Sequence, residues 1–169
     1  MNKRSWTLAG VGLALPLTLF AADNPDASFY KKAAEGGIAE VQLGQLAQDK
    51  SSTQSVKEFG AMMMKDHSAA NEKLKAIAEA KGVKLPTSAS VMQMASKTKL
   101  EVLTGSAFDK SYIKGMVEDH QEDIKEFQKE ASSGQDPDAK AFAVATLPTL
   151  KAHLKKIQEI ASAQGLNAS

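Results

Sequence analysis

Phe59-Gly60-Ala61-Met62-Met63-Met64-Lys65-Asp66-His67 is written again 53 positions later as Tyr112-Ile113-Lys114-Gly115-Met116-Val117-Glu118-Asp119-His120. In each copy an aromatic, a methionine and a histidine are spaced by four, so on an α-helix they stack along one face. The aspartate before each histidine lies about 100° round the helix from it and belongs to a different face. The chain has three histidines, and the third, His153, lies in another stretch with helical spacing. Chemistry specific to this protein is expected to run through these three residues.

Working outward, the same periodicity predicts four long amphipathic helices. The first opens at Asn24-Pro25-Asp26, with an N-cap, a first-position proline and an early acid. Its buried stripe runs through Phe29, Ala33, Glu40, Leu43 and Ala47, with a carboxylate in its middle and Gly36-Gly37 pointing to a close helix approach. Ser51-Ser52-Thr53 supplies caps for the second helix, which carries Val56, Phe59, Met63, His67, Leu74 and Ile77 inward and ends at Gly82 before Leu85-Pro86. The third, opened by a capping box at Ser106-x-x-Asp109, carries Phe108, Tyr112, Met116, His120 and Phe127 inward and a strongly acidic outer face. Asp136-Pro137 opens the fourth, whose stripe is Phe142, Thr146, Leu150, His153, Ile157 and Ile160, with Pro148 an expected kink. The connection between the second and third helices, 83–105, is too long for a bare loop. A short helix is expected there from about Ala89 to Leu103, with Val91, Met94, Ala95 and Leu103 inward. The fold class that follows is all-α: a four-helix bundle with a long, partly helical crossover between helices 2 and 3.

Composition narrows the function classes. Cysteine is absent, which removes disulfides, thiolate nucleophiles and Cys-ligated zinc or iron–sulfur centres. Asn2-Lys3-Arg4, the apolar run Trp6–Phe20 and Ala21-Ala22 read as a Sec-type signal peptide over residues 1–22, leaving 23–169 as the bundle domain. The expected location is periplasmic or secreted. Without Lys3 and Arg4 there are 19 basic residues against 20 acidic, a charge of −1, so no basic field would draw nucleic acid. No second hydrophobic segment suggests a transmembrane span in the mature chain. Phosphate loops and serine nucleophile elbows have no counterpart, so a binding protein is expected rather than an enzyme, with no catalytic residues assigned.

Glu40, His67, His120 and His153 each fall near the middle of a helix, which puts them at one level of the bundle whichever way the helices run. Three imidazoles and a carboxylate in an apolar core make a candidate site for a single transition-metal ion. Glu40 would offset part of the ion's charge. Met63 and Met116 add soft sulfur nearby and lean the choice towards copper, with iron, zinc and manganese open. Asp66 and Asp119 either hydrogen-bond the site from outside or face solvent and neighbouring helices. The competing reading is a metal-free buried Glu–His network in a structural or interaction protein of the cell envelope.

Ala34-Glu35-Gly36-Gly37, Glu40-Val41-x-Leu43-Gly44, Met63-x-x-Asp66-His67, Gly82-Val83-x-Leu85-Pro86, Phe108-Asp109-x-x-Tyr112, Met116-x-x-Asp119-His120 and Thr146-Leu147-Pro148-x-Leu150-x-x-His153-Leu154 together resemble the ferritin-like bacterial family called domain of unknown function 4142. The resemblance spans the mature chain. It implies a ferritin-like four-helix bundle without an agreed activity; the expectation of metal handling or a stress-related role rests on Glu40 and the three histidines. Members are often labelled outer-membrane proteins, which implies at most peripheral association here, since the alternating strands of a barrel are missing. Ferritin-like di-iron centres use Glu-x-x-His. The residues three before the histidines are Met64, Val117 and Leu150, so ferroxidase chemistry is not expected.

Overall fold

The computed structural model describes residues 24–167; the expected signal segment 1–22 and its cleavage point lie outside them. Five helices make up the fold: α1 (Ala27–Lys50), α2 (Gln54–Lys81), α3 (Val91–Glu101), α4 (Gly105–Ser133) and α5 (Pro137–Ala163). No strand occurs among the described residues. The architecture is the expected all-α, ferritin-like bundle, with α3 as the helical part of the crossover. None of these helices is long and apolar enough to cross a membrane.

Two helical hairpins, α1–α2 and α4–α5, pack against one another, α1 beside α4 and α2 beside α5. The closest crossing is within the first hairpin. A Cβ on Gly44 would come within 2.6 Å of the Gly60 carbonyl oxygen, and one on Gly60 within 2.7 Å of the Gly44 oxygen, so neither helix could approach this closely with a side chain there. Gly82 ends α2 in the left-handed conformation (φ 68°) that glycine adopts without a Cβ penalty. α5 runs unbroken through Pro148, which lies on its exposed side.

A buried aspartate latches each end of the bundle. Asp109, at the start of α4, accepts from Ser51 Oγ (2.5 Å), Ser52 Oγ (2.8 Å) and Thr53 Oγ1 (2.6 Å) of the α1–α2 turn. The expected capping box at Ser106 is therefore not how α4 begins: its N-cap is Thr104, and Asp109 faces the other hairpin. At the opposite end Asp136 caps α5 and accepts from Asn24 Nδ2 (2.7 Å), Tyr30 Oη (3.1 Å) and Lys81 Nζ (2.8 Å). Burial alone would raise the Asp136 carboxyl, but Lys81, Asn24 and Tyr30 hold it at about 2. Asn24 itself forms a turn before α1, whose N-cap is Asp26, two residues later than the spacing suggests.

The crossover helix departs most from its expected packing. Val91 is 81% exposed, and Met94 and Ala95 also face outward. Leu103 is half-buried against the core as expected, and Leu100 packs there beside it. Ser90 and Gln93 form a reciprocal capping box that fixes where α3 begins.

Apolar side chains fill the interior in two clusters. One gathers Leu43, Phe59, Met63, Tyr112, Met116 and Ile157 towards the Asp109 end; the other gathers Phe29, Leu74, Phe127, Phe142 and Leu150 towards the Asp136 end. Along every long helix a polar residue separates the two: Glu40, His67, His120 and His153, all buried. The bundle has a polar waist.

Candidate metal centre

His67 comes from the first hairpin, His120 and His153 from the second. One ring nitrogen of each lies within 4.8 Å of the others. Ring centroids are 5.8 Å (His67–His120), 5.4 Å (His67–His153) and 5.4 Å (His120–His153) apart, close to an equilateral triangle. Phe59 caps one side, its ring centre 6.2 Å from His120 and 6.4 Å from His153.

The hydrogen bonds around the triangle assign the protons. His120 Nδ1 lies 2.9 Å from the Met116 carbonyl oxygen, one turn back. A carbonyl only accepts, so Nδ1 carries the hydrogen and the neutral ring leaves Nε2 bare. His153 Nε2 donates to Asp66 Oδ2 at 3.0 Å, which leaves His153 Nδ1 bare. These two bare nitrogens, His120 Nε2 and His153 Nδ1, face each other at 3.4 Å. His67 Nε2 is buried with no hydrogen-bond partner. The lone pairs of His120 Nε2 and His153 Nδ1 converge beside it, an arrangement suited to something electrophilic.

A proton is a poor candidate for that role. Burial and the neighbouring imidazoles hold His67 down at about 3. Burial and His153 hold His120 at about 4, against the upward pull of the Met116 carbonyl. Burial likewise lowers His153, partly offset by Asp66. His67 and His120 therefore stay neutral over the physiological range, which is the form in which imidazole ligates a metal.

The remaining expected site residues are placed differently. Glu40 is buried beside His120, but its Oε1 lies 3.8 Å from Nδ1, the nitrogen already bound to Met116, and not among the three converging nitrogens. Its Oε2 has no hydrogen-bond partner. Burial, then Asp123 and Asp119, raise its pKa well above the usual carboxylate value. Met63 and Met116 are packed in the apolar cluster next to the waist, and the Met116 backbone orients His120. Asp66 does touch the triangle, through His153 on α5 rather than its own neighbour His67. Asp119 faces the groove between α1, α3 and α4, with burial and then Glu122 and Glu118 raising it to about 6. Asp123, on the acidic side of α4, is not among the residues expected at the site. It borders a cavity of about 20 Å³ that His67 also lines. Its spacing, one turn after both Asp119 and His120, is the signal the sequence carries.

The sequence model of the family described as domain of unknown function (DUF4142) matches residues 18–160. A search of the curated proteins finds no match. Three solved structures share the fold at low identity. A DUF305 protein from Streptomyces coelicolor is 14% identical with a TM-score of 0.72, covering 87% of this chain and 96% of its own. A DUF305 fragment from Deinococcus radiodurans is 11% identical with a TM-score of 0.71, over 80% and 94% of the two chains. The structure described as CopM in the Cu(I)-bound form is 15% identical with a TM-score of 0.68, over 82% and 96%.

Proposed function

We propose a metal-binding role for this chain, which belongs to the DUF4142 family: it holds one transition-metal ion, copper foremost, on His67, His120 and His153, without catalytic turnover. The observation that carries this reading is the pair of bare nitrogens facing each other at 3.4 Å beside the partnerless His67 Nε2. A cation bonded to all three would turn mutual repulsion into ligation. Three neutral imidazoles suit copper or zinc. Likeness to a structure described as Cu(I)-bound favours copper, with iron a weaker choice for so nitrogen-rich a set. Asp66 and the Met116 carbonyl, each bound to the far nitrogen of a histidine, would fix ring orientation and tautomer in the way that supports metal ligands. Glu40, unpartnered and adjacent to His120, would offset part of the ion's charge without ligating it.

In this reading the protein is exported by the segment 1–22 and works in the periplasm or outside the cell, where it sequesters or passes on the ion. Likeness to a DUF305 protein described as a candidate secreted protein supports that location. Association with the outer membrane, if it occurs, would be peripheral.

The test is elemental analysis of untagged, purified protein beside a His67/His120/His153→Ala variant. Close to one metal per chain is expected, lost in the variant while its helical circular dichroism persists. One observation favours a second reading: Asp66 also suits a doubly protonated His153, whose Nδ1–H would then donate to His120 Nε2 in a metal-free network. A wild type that carries no metal, and whose melting does not respond to copper, zinc or iron, would establish that network instead.

A further inference from the structure

The acidic face of α4 is not open to solvent throughout. α1, α3 and α4 enclose a groove of about 280 Å³ whose walls carry Glu35, Glu40, Asp119, Glu122, Asp123 and Glu126. Among the described residues that line it Lys32 is the one cation, and it is already paired with Glu126 at 3.1 Å. Glu40 forms part of the groove lining; it is 3% exposed, and its Oε2 has no hydrogen-bond partner. A buried carboxylate oxygen without a donor, lining a groove of further carboxylates, is suited to meet a cation.

The groove shares part of its wall with a cavity deeper in the bundle. Gly36 and Asp123 line the groove, and both line this small cavity that reaches His67. A Cβ built on Gly36 would stand 3.8 Å from Asp123 Oδ1 and 3.9 Å from Gln93 Nε2. Alanine fits at that distance, whereas a longer side chain would fill the gap.

We propose that this groove is the route by which a divalent transition-metal cation reaches the three histidines, shedding its water at the gap between Gly36 and Asp123, its inner gate. The proposal rests on the histidine-site reading. A cleft lined by one sign of charge between low-dielectric walls concentrates counter-ions and raises their arrival rate. Carboxylates hold first-row ions more weakly than a set of imidazoles does, so an ion collected by the groove would pass inward.

The test is stopped-flow uptake of copper(II) by the full chain, read from the ligand-field absorption of the histidine-bound ion. Wild type is compared with Gly36→Leu, Asp123→Asn and the controls Gly36→Ala and Glu72→Gln. The association rate should fall about tenfold in Gly36→Leu and several-fold in Asp123→Asn. Final stoichiometry should not change, and both controls should match wild type. Raising salt from about 20 to about 200 mM should slow wild type more than Asp123→Asn. Should Gly36→Leu fail to fold, the isosteric Asp123→Asn and the salt dependence still decide. Rates within twofold of wild type and insensitive to salt would overturn the route while leaving the histidine site standing. Loss of stoichiometry in Asp123→Asn at an unchanged rate would make Asp123 a ligand, and overturns the route as well. A wild type that takes up no copper would sink the site and its route together.

Discussion

An imidazole whose Nδ1 is tied to the carbonyl one turn back has only Nε2 left to offer, and this geometry divides His120's neighbours. His153 meets its free nitrogen; Glu40 stands beside the occupied one. Asp66 sets the tautomer of His153 in the same way. Asp66→Ala is expected to weaken copper affinity about 10–100-fold while sparing the fold, as measured by competition with a chelator. The titrations at the waist oppose one another. His67 and His120, held near 3 and 4, are more basic in the unfolded chain, so the stability they contribute is complete above about pH 6.5. It is lost as pH falls towards 3. Asp123 runs the other way: burial, then Asp119, Glu122 and Glu126, raise it to about 7, so its charge weakens the fold above that pH and the weakness is relieved towards pH 4. Asp123→Asn should therefore have a higher urea midpoint than wild type at pH 8 and the same midpoint at pH 4. Helical spacing made the height of Glu40, His67, His120 and His153 legible, because height follows residue count along each axis. It did not tell which ring edge each neighbour would meet, because that depends on the rotation and tilt of all four helices together.

At the scale of elements, the two latches show what local signals can and cannot say. Asp136 behaves as the Asp-Pro spacing predicts, capping its own helix, and it also gathers Lys81, Asn24 and Tyr30. Asp109 has the spacing of a capping box, yet three hydroxyls of the α1–α2 turn outbid the backbone of its own helix. That competition is between segments more than 50 residues apart, and no window around Asp109 contains it. Asp109→Ala is expected to cost about 2–3 kcal/mol in urea unfolding, since it removes hydrogen bonds to a buried charged group. The crossover helix was legible as a helix from its length and capping residues. Its facing was not, because α3 packs on one side only: apolar Val91 and Met94 stay in water while Gln93 lines the acidic groove.

For the whole molecule, four long helices and a crossover followed from periodicity and turn residues, but spacing left the threading of the crossover open. Contacts of α3 with α1 and α4 settle its path along the seam of the two hairpins. The proposed metal uptake belongs to this scale too, since the three histidines come from both hairpins. Copper at about 100 times its dissociation constant should add about 2.7 kcal/mol to the unfolding free energy, visible as a higher melting temperature, and should add nothing to the triple-alanine variant. The polar waist has a kinetic consequence as well. Each hairpin forms from contacts close in sequence, and the second already brings His120 beside His153, whereas His67 joins them only once the hairpins dock, a late event dominated by loop closure. An ion held by all three gains its His67 bond only at docking and must give that bond up before the halves can part. Occupancy would then act as a clock on the native state, lengthening its lifetime without hastening its birth.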